Sequence, residues 1–200
     1  RIRSGLPGKT KTTFGWFFIA LCETIVMNID EYRVATARDV SELVSLINKS
    51  YRPNGVEAGW THESELIEGE RINSQQLAEL LEREGSTVLL GLSKAEIVAC
   101  VNVNEEAGAS YIAMLTVKPS YQNLGLGKEM LELAEEYAEN QYESSAFNLF
   151  VISERKELFD FYLRRGYKST DITSDYPANA GVGTPKVSGL KLVLLTKELA

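Results

Sequence analysis

This chain is poor in the residues that build several common catalytic and structural centres. His62 is its only histidine, so a Ser-His-Asp triad or a multi-histidine metal site would rest on one residue. Its 2 cysteines, Cys22 and Cys100, lie far apart, which excludes a disulfide framework and a cysteine-rich zinc site. We therefore expect no metal. No apolar run reaches the roughly 18 residues of a membrane-spanning helix, so no stable membrane insertion is expected. Positive charge is also in deficit, with 21 Lys and Arg against 28 Asp and Glu and a net charge of −7. An acidic surface disfavours nucleic acid and anionic membranes, and mildly favours a cationic partner such as an amine.

What is present suits a single domain, since 200 residues with 44% hydrophobic content bury one sizeable core. The first residues read differently from the rest. Arg1, Arg3, Lys9 and Lys11 precede the apolar run Phe14–Cys22, a basic-then-apolar order seen in secretion signals. A targeting segment, a peripheral anchor and a stretch outside any fold all remain open. We place residues 1–27 as a tail outside the fold and residues 28–200 as one domain, expected in the cytoplasm.

Within that domain, Tyr32–Ala35 reads as a short strand. Thr36 and Asp39 offer capping groups before Val40, Leu43, Leu46 and Ile47, which share a helical face. Residues 52–72 are irregular, and 74–84 read as a second helix. Residues 86–92 and 97–104 form a predicted hairpin, followed by a strand over 110–117. A helix over 125–142, with Met130, Leu133, Ala134 and Tyr137 on one stripe, leads to a strand over 146–152 and a helix over 155–165. Gly166 stops that helix, and a final strand covers 190–195 after a long loop over 171–187. The pattern is one α/β (α+β) domain without internal repeats.

The stretch from Tyr111 to Lys128 concentrates the chemistry. An apolar strand ends at Pro119, a glycine-bearing turn follows, and a long helix starts at once. Backbone N–H groups and a helix N-terminus then face one spot, a site for an anionic phosphate. A Walker A loop fails, because Gln122 stands where its first glycine is required and Glu129 follows Gly127-Lys128. A dinucleotide fingerprint fails too, since Met130 replaces the third glycine and the turn follows a late strand.

Gln122-Asn123-Leu124-Gly125-Leu126-Gly127 resembles the Q/R-x-x-G-x-G/A turn of the GNAT superfamily of N-acetyltransferases. Leu115-Thr116-Val117 resembles the strand beside that superfamily's cofactor, and Tyr162-Leu163-Arg164-Arg165-Gly166-Tyr167 resembles its downstream helix end. The resemblance spans roughly residues 32–197. It implies a mixed, mostly antiparallel sheet of six to seven strands flanked by about four helices. Acetyl-CoA would be the co-substrate, lying where the strands at 110–117 and 146–152 splay apart.

On that resemblance, the main chain of Leu115, Thr116 and Val117 would hold the pantetheine arm and supply an oxyanion donor. The turn residues Gln122, Asn123, Leu124, Gly125, Leu126, Gly127 and Lys128 would hold the pyrophosphate. Tyr162 would protonate the departing thiolate. Arg155 stands where the family often has Asn, and its guanidinium would reach a CoA phosphate or cap a turn. Glu63, with His62 beside it, is the candidate general base, and Tyr51, Trp60 and Arg71 are candidate lining for the acceptor pocket. Glu105 and Glu106 read as solvated turn residues and Cys100 as a buried structural thiol. The expected reaction is direct attack by a primary amine, on a small molecule or a peptide, in a ternary complex. A non-catalytic acyl-CoA-binding or sensing module is the alternative, and a homodimer stays open.

Overall fold

The computed structural model of the protein describes residues 27–53, 59 and 62–199. The tail before residue 27, Cys22 and Trp60 fall outside them. Among the described residues nine strands and four α-helices follow in the order β1 (Glu31–Val34), α1 (Val40–Tyr51), β2 (Ile67–Glu68), α2 (Ser74–Glu82), β3 (Ser86–Ser93), β4 (Glu96–Glu106), β5 (Ala109–Val117), α3 (Leu126–Tyr142), β6 (Ala146–Ile152), α4 (Lys156–Leu163), β7 (Lys168–Asp175), β8 (Thr184–Pro185) and β9 (Lys191–Glu198).

Local chemistry sets several of these boundaries. The Asp39 carboxylate accepts from the Thr36 N–H at 2.7 Å and is forked by the Arg33 guanidinium at 2.7 and 2.8 Å, which fixes the chain entering α1. Asn73 and Gln76 cap α2 reciprocally, each side chain accepting from the other's backbone N–H at 2.9 Å. The helix expected over 155–165 ends earlier, at Leu163, and Gly166 follows its last turn at φ +89, a value only glycine adopts without strain. The sheet is mixed and mostly antiparallel: seven strands run β1-β3-β4-β5-β6-β9-β7, and the one parallel pair is β5 with β6.

Two apolar layers cover the sheet. One side holds Met130, Leu131, Ala134 and Ala138 of α3 and Phe161 of α4 against Val101, Val103, Phe147 and Leu195. The other holds Leu43, Leu46 and Ile47 of α1 and Leu77 of α2 against Val88, Leu90 and Cys100. Truncating any of the fully buried Leu or Met side chains to Ala costs about 2–5 kcal/mol.

Some expectations shift. The long loop over 171–187 is partly strand, because β7 runs through Asp175 along β9, and β8 pairs with β2 in a separate ribbon. All of β7 except Thr170 is exposed, so this edge strand carries no apolar alternation to betray it. On α3 the stripe turns to include Leu131, while Leu133 is only partly buried. On the same helix Glu135 is buried: it accepts from the Tyr167 hydroxyl at 2.9 Å and pairs with Lys197 at 2.6 Å.

Candidate active site

The site begins at an irregularity in β5. Cys100 pairs with Thr116 and Asn102 with Ala113, so one residue of β4 faces two of β5, Met114 and Leu115. This is a β-bulge, and Met114 takes φ +51 to make it. A bulge bends its strand and sharpens the local twist. Accordingly β5 meets β6 only at Ser110–Phe147 and Tyr111–Asn148, near the start of both strands. Beyond those pairs the two strands part, and a cavity of about 390 Å³ opens beside the second half of β5.

Leu115 and Val117 form one wall of the cavity, the turn before α3 supplies Gln122, Asn123 and Gly125, the first turn of α3 supplies Gly127 and Lys128, and α4 supplies Leu158, Phe161 and Tyr162. In the turn, Asn123 has φ +63 and Gly125 φ +88, so the chain changes hand twice within three residues. Such alternation turns successive N–H groups toward one side, a geometry that suits an anion. The N–H groups of Lys128 and Glu129 both donate to Gly125 O, at 2.9 and 3.2 Å, which fixes the first turn of α3. The N–H groups just ahead of them have no carbonyl behind them within the helix. The two glycines differ in their reasons. Gly125 needs its positive φ and has open space around it, whereas at Gly127 a Cβ would stand 3.7 Å from Phe161 and 3.9 Å from Val117, inside the cavity wall.

The wall's carbonyls are gripped from two sides. The Tyr51 hydroxyl donates to Leu115 O at 3.1 Å, and the Gln122 side-chain amide donates to Val117 O at 2.9 Å. Gly59 lies against that Gln122 side chain, so closely that a Cβ would come within 2.5 Å of it.

Tyr162 is buried, with its ring edge-on to Phe161 at 5.0 Å and near Tyr167 at 5.7 Å. Burial pushes its phenol well above the ordinary range, and the nearby Tyr51 adds to the rise. It therefore holds its proton throughout the physiological range. Cys100 has no exposed surface, and burial raises its thiol to about 12, so it offers no thiolate for covalent chemistry.

The remaining expected residues are placed differently. Thr116 is buried on the opposite side of β5, with its hydroxyl bonded to Met114 O at 2.8 Å. Leu124 is exposed, and Leu126 packs in the core. Arg155 is buried and paired with Glu157 at the start of α4; it is Glu157 that lines the cavity. Glu63 is locked to Arg52 at 2.7 Å, both side chains about nine-tenths buried, and is not among the lining residues. Lys128 reaches Glu132 at 3.3 Å in an exposed pair of little energetic weight.

Sequence reasoning missed Arg164 and Arg165, which line the same cavity. Arg165 donates to Phe161 O at 2.5 Å, stacks 3.5 Å over the Phe161 ring, and has its Nε buried without a hydrogen-bond partner. Their signal was present as adjacent basic residues ahead of Gly166, in the turn that follows α4.

A family model described as an acetyltransferase (GNAT) domain matches residues 47–179. Several solved structures share the fold. The PaiA N-acetyltransferase from Thermoplasma acidophilum, solved in complex with coenzyme A, matches with a TM-score of 0.64 and 18% identity, over 84% of this chain and 98% of that one. A ribosomal-protein-alanine N-acetyltransferase from Brucella melitensis matches with a TM-score of 0.62 and 16% identity, over 84% and 99%. A GNAT-family acetyltransferase from Streptococcus pneumoniae matches at 0.61 and 17%, also over 84% and 99%. No protein of curated function matches the sequence. The family match runs through the bulge, the glycine turn and Tyr162, and it covers well over half of the chain: this is an N-acetyltransferase of the GNAT family.

Proposed function

We propose that the chain moves an acetyl group from acetyl-CoA to a primary amine by direct attack within a ternary complex. The observation that carries this reading is the parting of β5 from β6 beside a cavity lined by Leu115, Val117, the glycine turn and Tyr162. The residues present fit the co-substrate. A concave row of backbone N–H groups suits a pyrophosphate, Lys128, Arg164 and Arg165 supply positive charge in the same lining, and the apolar wall suits a pantetheine arm.

In this proposal the co-substrate supplies an activated acyl group on sulfur, and the chain's residues do the rest. The β5 main chain at Leu115–Val117 orients the arm by strand-like hydrogen bonding and polarises the thioester carbonyl. The turn Gln122–Lys128 binds the phosphates, with Gly127 allowing the close approach. Arg165, rigid on Phe161, adds a cation toward them, and Arg155 acts through Glu157, holding it at the cavity edge. As the amine nitrogen bonds to the acyl carbon and the carbon–sulfur bond breaks, Tyr162 gives its proton to the sulfur. The amine loses one proton in turn, through water, and Tyr162 is reprotonated. Glu63 contributes from the acceptor side by fixing Arg52.

Two readouts test the reading. Acetyl-CoA raises the melting temperature, and addition of an amine releases free thiol. Stabilisation without thiol release from any amine would favour the acyl-CoA-sensing alternative instead.

A further inference from the structure

Next to the wall formed by Leu115 lies a small charged cluster whose balance bears on what the acceptor is. Asn48 of α1 pins the chain at Arg71: its Oδ1 accepts from the N–H groups of Arg71 and Ile72 at 2.7 and 3.2 Å, and its Nδ2 donates to Ile72 O at 2.8 Å. So held, the Arg71 guanidinium stands 5.6 Å from the centre of the Tyr51 ring. That is the tyrosine whose hydroxyl grips Leu115 O. Three side-chain hydrogen bonds thus place one cation over the residue that braces the cavity wall.

Arg71 has no carboxylate partner among the described residues, whose ion pairs all involve other cations. Arg52, the other arginine here, is neutralised by Glu63 at 2.7 Å. Among the described residues the cluster therefore keeps one uncompensated positive charge, in a chain of net charge −7. Its field reaches the neighbouring phenols, lowering Tyr51 and Tyr176 against the burial that raises them.

A fixed cation over Tyr51, whose hydroxyl meets the cavity wall at Leu115, acts in two ways on an amine that approaches there. It disfavours an ammonium, so the attacking nitrogen is held more in its neutral, nucleophilic form. It also repels a second ammonium on the same molecule and attracts an anion, and a guanidinium fork matches a carboxylate bidentately. We propose that the acceptor is an amine bearing a carboxylate a few bonds from its nitrogen, and that Arg71 receives that carboxylate. The proposal rests on the acetyl-transfer reading above and narrows its acceptor class from any amine to an amino acid or an acidic peptide end.

Matched acceptors test it: glycine against glycinamide, and a dipeptide with aspartate second against the same peptide with asparagine, with a diamine as the cationic control. Thiol release by the wild type should favour the carboxylate member of a pair by about tenfold in kcat/KM, the scale of one charge-assisted pair. Arg71→Ala should erase that preference by raising KM for the carboxylate acceptor, and Arg71→Lys should restore part of it. Acetyl-CoA affinity should change far less than KM for the carboxylate acceptor in either variant. Calorimetric binding of N-acetylglycine against N-acetylglycinamide to the CoA-loaded protein provides a readout that needs no turnover. Carboxylate selectivity in binding without transfer would overturn the enzyme reading and keep the Arg71 assignment. Transfer that prefers the diamine, or Arg71→Ala affecting both members of each pair alike, would overturn the assignment and keep the enzyme reading. No selectivity in either readout overturns it as well.

Discussion

The Tyr51 hydroxyl, at the end of α1, donates a 3.1 Å hydrogen bond to the carbonyl of Leu115 in the bulged part of β5. One bond thereby ties α1 to the wall of the cavity. Removing the hydroxyl in Tyr51→Phe leaves that carbonyl short of a donor, a loss of about 1 kcal/mol in stability. The same change should raise KM for acetyl-CoA, because the wall then loses its brace. Thermal melts and steady-state kinetics check both, and an unchanged KM would detach Tyr51 from the site.

Tyr162→Phe keeps the ring and removes the proton. Turnover should fall by about 10²-fold or more, the usual weight of a positioned general acid, with acetyl-CoA affinity nearly constant. Equal activity in the variant would remove Tyr162 from the mechanism.

The pH profile follows from the same residue. Burial raises the Tyr162 phenol above its ordinary value, so the acid form persists as pH rises past the roughly 10 of a free tyrosine. A plot of kcat against pH should show no alkaline fall due to Tyr162 below that point. A descending limb with a midpoint near 8 or 9 that Tyr162→Phe abolishes would contradict this placement.

At the turn, Gly127→Val should fold, since its Cβ meets Phe161 and Val117 at ordinary contact distances. Its branches would nevertheless fill the cavity and weaken acetyl-CoA binding by well over tenfold in a titration. Gly125→Ala acts differently, through backbone strain at φ +88 of about 1 kcal/mol, visible as a lower melting temperature. Undiminished binding in Gly127→Val would refute the phosphate-turn assignment.

Stability should decline in acid through Asp39. Hydrogen bonding from Arg33 holds its carboxyl down at about 2, below the roughly 3.9 of an unfolded chain. A depressed carboxyl stabilises the fold above the unfolded value and loses that contribution as pH falls from about 4 to about 2. The contribution is at most about 2 kcal/mol and less after screening, because the Arg33 side chain is 33% exposed. Urea melts of the wild type and Asp39→Asn should converge over that pH window. A constant difference between them would locate the effect elsewhere.

What could be read from the residues alone was what local chemistry encodes. Pro119, Gly125 and Gly127 mark a strand, a turn and a helix start wherever they fall in that order, and Tyr162 and Gly166 mark the end of α4. The bulge at Met114 carries no such mark, because an ordinary residue is driven to φ +51 by the pairing of its neighbours. Glu63 read as the candidate general base on an irregular stretch, and only the folded chain brings Arg52 against it. Arg155 read as reaching a CoA phosphate or capping a turn, and only the folded chain pairs it with Glu157, which lines the cavity. Nor did Arg71 announce its place over Tyr51, which depends on Asn48, 23 residues earlier. The β7 edge was obscured for a simpler reason: a strand exposed along nearly all its length has no buried face to pattern.

The central claim is direct transfer from acetyl-CoA to an amine at the cavity beside the second half of β5. It is tested most directly by following the label from acetyl-labelled CoA in a single turnover, with the protein and the amine separated after quenching. We predict free CoA only when amine is present, label on the amine, and unlabelled protein. Label on the protein, or bound acetyl-CoA that no amine discharges, would contradict it.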